Sequence, residues 1–410
     1  MLTATAFLFF LGLLLVGQFL EPLADKIRLP FSILLVLLGF IGSELLTRGF
    51  GLDTGIDWEN FNTLVFYVLL PVLIFQAAME IDVSALKENI VPIMLLALPL
   101  MLVSAGVTAA GVYYGIAHPA GFPWVAALLT GALLSATDPA AVLALLKRSG
   151  APGRITMLLE GESLFNDATA IVLFSILIAM AEMAGQEAGW GSAITQFLRV
   201  FFGGLAVGAA GGYAAHFISK VASGRNTRVL VTIVCAYASF IVAEDYLHFS
   251  GVMAVLAAGL IIGSFHDEWG RDGKFVTAFW EFIAANAEAL IFLLAGVTIT
   301  LTMFTDQWLA IIIGIAAVLL SRFVVIFGAF PLMNRVPGIV PVPVNHQLVL
   351  TWGGVRGTVT LALALSLPLS LDYWYTIQSI AYGVVLFTLF VQATTMNPLM
   401  RKLKLDVSSP

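Results

Sequence analysis

The chain has 410 residues, 60% of them hydrophobic and only 11% charged, with a formal net charge of -6 and a mean hydropathy of +1.00. That composition excludes a soluble globular protein and gives nucleic acid no basic surface to bind; the chain reads as an all-α polytopic membrane protein. A single cysteine, Cys235, excludes a disulfide within one chain and reads as a small core hydrophobe.

A helix needs about 20 apolar residues to cross hydrocarbon. In chain order the sequence predicts about 13 such transmembrane helices, near residues 3-20, 30-47, 61-79, 91-115, 123-146, 155-182, 194-219, 228-245, 250-265, 277-301, 308-334, 345-368 and 374-400. The first run, Leu2 to Leu20, has no basic flank and the length of a span, so it reads as retained rather than as a cleaved signal. In the seventh span, Gly203, Gly204, Gly208, Gly211 and Gly212 read as small residues that let helices approach closely, ahead of a dimer seam or a hinge. The histidines at 118, 216, 248, 266 and 346 fall mostly at span ends and read as interfacial; His266 with Asp267 and Glu268 is a weaker pH-sensor candidate.

Charge orients the spans. Lys26, Arg28, Lys87, Lys147, Arg148, Arg154, Lys220, Arg225, Arg228, Arg271, Lys274, Arg335, Arg401, Lys402 and Lys404 go with the odd-numbered loops and the C-terminal tail. Only Arg48 and Arg199 go with the even-numbered ones, and Arg322 and Arg356 lie inside spans. The positive-inside bias predicts a cytoplasmic C-terminus, an outside N-terminus and a multi-pass protein of the cell membrane. No loop is long enough for a separate folded domain, so residues 1-410 form a single membrane transporter domain whose chemistry lies within the membrane.

If helices 1-6 and 8-13 are two units separated by a linker helix, they have opposite orientations and form inverted repeats, about 1-183 and about 225-403. The corresponding interruptions are Thr137-Asp138-Pro139 in helix 5 and Gly353-Gly354-Val355-Arg356-Gly357 in helix 12. Proline removes a backbone donor and glycine loosens the helix, so both breaks can expose carbonyls and amides to a cavity near the midplane.

Helix 6 carries the densest polar knot, Glu160-Gly161-Glu162-Ser163-Leu164-Phe165-Asn166-Asp167, in an otherwise apolar run. Ionisable groups inside spans are costly and mark ion or proton pathways. Ser163 and Asp167 are four residues apart, as are Glu162 and Asn166, so each pair shares a helix face. Asp167 lies about 12 residues into the helix, roughly 18 Å and close to mid-membrane. A hard monovalent cation takes oxygen ligands, and Asp167, Ser163, the Asp138 carboxylate and a carbonyl near Thr137 can supply them. Burial favours a protonated carboxyl and a nearby cation favours an ionised one, so Asp167 can hold a proton or a cation but not both. Asn166 cannot ionise, which predicts one cation per proton and electroneutral exchange unless Asp138 also titrates.

Thr137-Asp138-Pro139, Glu162-Ser163-x-x-Asn166-Asp167 and Trp352-Gly353-Gly354-Val355-Arg356-Gly357 resemble the signatures of monovalent cation/proton antiporters of the NhaP/NHE type. Pro71-x-x-x-Phe75 and Phe279-Trp280-Glu281 extend the resemblance over nearly the whole hydrophobic chain. It implies core helices at about 91-183 and 308-403 moving against dimerisation helices at about 1-79 and 225-301, with crossed broken helices 5 and 12, in a homodimer serving sodium transport and pH homeostasis without a cofactor. It also implies Asp167 as the sodium-binding carboxylate, assisted by Asp138, Ser163 and Thr137, with Asn166 marking the electroneutral branch. Glu162 is expected to pair with Arg356, as a structural pair. Gln76 stands where relatives often carry an acid, and Glu288 near a position where they carry Asn, which leaves selectivity among sodium, lithium and potassium open.

Each site residue has a plainer reading beside this one: a structural hydrogen bond for Asp167, a cap on the broken helix ends for Asp138, and an inert solvated carboxylate for Glu160, whose functional reading is cation attraction at the cytoplasmic mouth. Glu288 is either a second ion or proton relay or a partner for Arg322. The leading expectation is a secondary antiporter exchanging sodium, or lithium, for protons by alternating access. A potassium/proton antiporter of the same fold is the alternative, and a cation channel a more distant one, because the polar knots are isolated and no filter-like repeat joins them. An intramembrane aspartyl enzyme gives Asn166 and the Thr-Asp-Pro break no role, and Ser163 lies in no nucleophile elbow.

Overall fold

Hydrocarbon offers the backbone no hydrogen-bonding partner, so a chain this apolar must satisfy its amides within its own segments, and helices do so. The computed structural model describes residues 4–27, 29–44, 63–116, 122–148, 153–182, 190–221, 224–335 and 341–405, and among them there is no strand. Arg28, Arg48, His118, the end of the second predicted span at 45–47 and the side chains of Lys147, Arg148 and Asp267 lie outside the described residues. Among the described residues seven helices are long and apolar enough to cross a membrane, and shorter apolar helices accompany them. Large apolar side chains such as Phe19 (75% exposed) and Val221 (90%) point outward, a surface suited to lipid rather than water.

The chain divides into two compact units, one of residues 1–63, 89–167 and 289–410, the other of 64–88 and 168–288. In chain order the helices are α1 (Ala4–Ile27), α2 (Phe31–Glu44), α3 (Val65–Glu80), α4 (Val83–Glu88), α5 (Ile90–Gly115), α6 (Trp124–Leu133), α7 (Ala140–Arg148), α8 (Gly153–Glu182) and α9 (Trp190–Val221). They continue as α10 (Arg225–Tyr246), α11 (Gly251–Phe265), α12 (Arg271–Thr298), α13 (Leu301–Asp306), α14 (Trp308–Met333), α15 (Val344–Trp352), α16 (Thr358–Leu365) and α17 (Trp374–Lys402). The predicted fifth and twelfth spans are both broken, into α6 and α7 around residues 134–139 and into α15 and α16 around 353–357. Single π-helical turns, which no local sequence pattern marks, lie at Val65–Leu69, Leu96–Leu100, Val242–Tyr246 and Thr388–Ala393.

In the first unit α5 packs between α6 and α14, and α17 lies along α14. Gly131 of α6 meets the Ala105 carbonyl of α5, and a Cβ at Gly111 would stand 2.8 Å from that of Ala317; side chains there would force the helices apart. A buried hydrogen bond between Ser104 and Ser321 (3.2 Å) ties α5 to α14.

In the second unit the glycines of α9 act as packing residues. Gly204, Gly208 and Gly212 lie against Ser250, Ala254 and Ala258 of the α11 region. Phe75 of α3 packs on Trp280 of α12 with ring centroids 4.6 Å apart, and the indole donates to Thr232 of α10 (2.9 Å). Cys235 is buried and free, as a small core residue. His216, near the end of α9, is 4% exposed and stacks on Phe265 at 3.9 Å. His266 bonds the Gly263 carbonyl through Nδ1 (2.7 Å).

Candidate functional site

Breaking a helix leaves carbonyls at the end of its first half and amides at the start of its second, and in a membrane each needs a protein partner. Four such ends belong to α6, α7, α15 and α16, all in the first unit. The chain between α6 and α7 is joined to the break in the other pair by a backbone bond from the Asp138 N–H to the Val355 carbonyl (2.7 Å).

Arginines serve the two carbonyl ends. Arg356, 1% exposed, donates through Nη1 to the carbonyls of Ser135 (3.3 Å) and Ala136 (3.2 Å) beyond α6. Arg322 of α14 donates through Nε (3.2 Å) and Nη2 (2.9 Å) to the Leu350 carbonyl in the last turn of α15. Asp138 serves both amide ends. Its Oδ1 accepts from the Ala140 N–H at the start of α7 (3.2 Å), and its Oδ2 accepts from the Thr358 N–H (3.1 Å) and hydroxyl (3.0 Å) at the start of α16. Cations at helix C-termini and an anion at helix N-termini match the helix dipoles. Capping, the plainer of the two readings of Asp138, is what its carboxylate does in this structure.

Gly357 is required by this arrangement. A Cβ there would stand 2.6 Å from both Cβ and Cγ of Asp138, so only glycine lets the carboxylate reach both helices. Thr388 is a partner the sequence did not flag. It sits in the π-helical turn of α17 and accepts the Arg356 N–H (3.1 Å).

The ion pair expected between Glu162 and Arg356 is not formed. Glu162, 2% exposed, makes a two-pronged pair with Arg322, Oε2 to Nη2 at 3.0 Å and Oε1 with Nη1. The physical reason is competition: Arg356 is drawn to the orphan carbonyls of α6, while the face of α8 that carries Glu162 meets the guanidinium of α14. Arg322 is thereby also supplied without Glu288. Glu288 and Gln76 are half-buried in the second unit. Glu160 is half-buried on α8, seven residues before Asp167.

Along α8 the spacing of four holds. Asn166, 2% exposed, uses its amide to clamp the extended chain, donating to the Ser135 carbonyl (2.8 Å) and the Thr137 hydroxyl (3.4 Å). Ser163 donates its hydroxyl to the Thr137 carbonyl (2.5 Å), which leaves its oxygen lone pairs available. Asp167 lies beside the Thr137 backbone, and its Oδ1 is buried with no hydrogen-bond partner. The structure thus brings Thr137, Ser163 and Asp167 together and sets Asp138 behind them on the helix ends. Asn166 and Arg356, whose Oδ1 and Nε also lack protein partners, line a cavity of about 10 Å³ with Ser104, Ser135, Glu162 and Arg322, room for about one water.

A carboxylate oxygen left unpartnered beside a hydroxyl and a carbonyl is an oxygen-rich site suited to a hard monovalent cation or to a proton. Known proteins agree with that chemistry. The chain is 34% identical over 92% of its length to a Na(+)/H(+) antiporter, ApNhaP, of Aphanothece halophytica, covering 70% of that protein. It is 31% identical to the Na(+)/H(+) antiporter NhaH of Halobacillus aidingensis, covering 97% of this chain and 98% of the relative. Its fold superimposes on the sodium proton antiporter MjNhaP1 of Methanocaldococcus jannaschii with a TM-score of 0.80 at 22% identity, over 97% of this chain and 98% of that one. Residues 8–402 match the sodium/hydrogen exchanger transmembrane family, and the chain belongs to that family.

Proposed function

We propose that this chain is a secondary antiporter that exchanges sodium for protons across the cell membrane, with Asp167 as the shared site. The observation that carries the proposal is the buried, unpartnered Oδ1 of Asp167, held next to Ser163 and the Thr137 carbonyl. A monovalent cation at that oxygen gains the Ser163 lone pairs and the second lone pair of the Thr137 carbonyl as further ligands. A proton on the carboxyl removes the negative charge that holds the cation. The two substrates therefore exclude one another, and with Asn166 uncharged the stoichiometry is one for one and electroneutral. The family of exchangers and the named activities of the relatives support this reading.

Asp138 acts chiefly by position. Its oxygens hold α7 and α16 and thereby fix Thr137 at the site. The lysine and arginine distribution supports a cytoplasmic C-terminus and an outside N-terminus. By family analogy the protein is a homodimer whose core helices, about 91-183 and 308-403, shift against the helices at about 1-79 and 225-301 so that Asp167 faces each side in turn.

The test is cation/proton exchange in proteoliposomes with a lumenal pH dye, adding sodium, lithium and potassium in turn. Asp167→Asn is expected to abolish exchange while the protein elutes as a folded species; cation-driven proton flux retained in that variant overturns the assignment. Exchange with potassium alone would move the chain to potassium/proton antiport. Asp138→Ala separates capping from coordination: capping predicts a loss of about 1–2 kcal/mol of stability with an apparent KM for sodium within about threefold of wild type.

A further inference from the structure

The second unit carries a cationic, aromatic corner that the exchange site does not use. α10 begins at Arg225 behind Gly224, which has no side chain to cap the helix, and its first turn packs beside the start of α12. The Arg225 guanidinium lies 4.9 Å from the centre of the Phe275 ring. Arg228 lies over Trp269 at 5.4 Å, donates to the Trp269 carbonyl (3.3 Å) and pairs with Asp272 at 3.2 Å. Arg228 is therefore a strut between the two helices.

Arg225, Arg271 and Lys274 are exposed. On α12, Arg271 stands three and four residues before Lys274 and Phe275, so all three share one face. Arg225 rests on Phe275, and the three cations therefore gather about one ring. Asp272, half-buried, is already spent on Arg228, and Glu268 is the exposed acid described in this turn. At its end α9 exposes Phe217, Ile218 and Val221, and the early part of α10 exposes Leu230. Cations and an aromatic ring at a helix end, next to apolar side chains further along the helices, match the two halves of a phospholipid.

We propose that Arg225, Arg271 and Lys274, set about Phe275, form a binding site for the headgroup phosphate of an anionic phospholipid, whose acyl chains lie along the exposed apolar side chains of α9 and α10. The shared chemistry is that of a phosphate anion; the apolar flank commits the site to a lipid rather than to free phosphate. Each cation near an anionic surface strengthens binding about fivefold, so removing three weakens it on the order of a hundredfold.

The experiment uses the full chain in detergent and measures its unfolding temperature and its lipid adducts by native mass spectrometry. Phosphatidylglycerol, phosphatidylcholine and inorganic phosphate are titrated separately. Arg225→Gln/Arg271→Gln/Lys274→Gln is compared with a charge-matched control at three other exposed lysines, Lys87→Gln/Lys402→Gln/Lys404→Gln. The expected result is stabilisation and a retained adduct with phosphatidylglycerol, absent with phosphatidylcholine, lost in the triple variant and kept in the control. Equal phosphatidylglycerol binding in the triple variant, equal loss in the control, or the same stabilisation by millimolar inorganic phosphate overturns the assignment. A triple variant with the wild-type unfolding temperature in lipid-free detergent keeps the comparison clean; if that temperature falls, Arg225→Lys/Arg271→Lys, which keeps the charge, restores phosphatidylglycerol binding under the proposal and fails to restore it otherwise.

Discussion

The Glu162–Arg322 pair permits a quantitative test, because it competes directly with an equally simple alternative, Glu162 with Arg356. Both arginines are almost fully buried, at 6% and 1% exposure, and so is Glu162 at 2%. Removing one member of a buried ion pair strands the other and costs about 3–5 kcal/mol. Arg322→Met also takes both donors from the Leu350 carbonyl, which adds about 1–3 kcal/mol. The expected cost is therefore about 4–8 kcal/mol for Arg322→Met and about 3–5 kcal/mol for Glu162→Met. The double variant replaces two charges with two apolar side chains of similar length, and such replacements restore much of the loss. The coupling energy for Glu162 and Arg322 should then be about 3 kcal/mol, and that for Glu162 and Arg356 under about 1 kcal/mol, because Arg356 bonds carbonyls and would be missed by Ser135 and Ala136 rather than by Glu162. Denaturant unfolding of both double-mutant cycles in mixed micelles reads these values. A larger coupling for the Arg356 cycle would falsify the assignment of the pair and, with it, the account of which arginine serves which helix end.

Further outcomes follow from the same contacts. Gly357→Ala drives a Cβ into Asp138; overpacking and the disturbed cap together should cost about 2–4 kcal/mol and slow sodium/proton exchange at least tenfold, and a variant with wild-type stability and rate would show that Asp138 yields freely. Asn166→Asp puts a carboxyl where an amide donates to the Ser135 carbonyl. The protonated acid can still donate and the carboxylate cannot, so exchange by this variant should fall relative to wild type as pH rises from 6 to 9; parallel initial-rate profiles would contradict the clamp.

Much of this architecture was legible in the sequence, and what was missed has a common cause. Thr137-Asp138-Pro139 and Gly353-Gly354-Val355-Arg356-Gly357 gave away both broken helices because proline and glycine act locally. The four-residue spacing brought Ser163 to Asp167, and Glu162 to Asn166, because helix geometry is local too. The choice of Arg322 over Arg356 depends on which helix faces which, and no local rule carries that. Thr358 had a faint signal, a hydroxyl residue directly after the glycine that ends a break. Thr388 had none: a π-helical turn within α17 brings it to the Arg356 amide, and the surrounding sequence reads as ordinary apolar helix. His216 lies near the end of α9, as its place in the sequence implies, but the ring that covers it, Phe265, comes from elsewhere in the chain and no local rule points to it.

The capping scheme has one more consequence, which concerns leakage rather than folding. At their ordinary charges, Asp138 and Glu162 offset Arg322 and Arg356, four buried or half-buried groups fixed by the contacts above. The sum over the knot is then set by Asp167 alone. Under the proposed exchange it is zero with a proton aboard and zero with a monovalent cation aboard, and it is minus one when the carrier is vacant. Carrying a bare charge through hydrocarbon is costly, and each 100 mV of membrane potential weights its movement by about 2.3 kcal/mol. The two loaded forms cross as neutral objects, and an idle return stroke meets a barrier they do not. Slippage is thereby suppressed by fixed electrostatics, with no need for a separate latch.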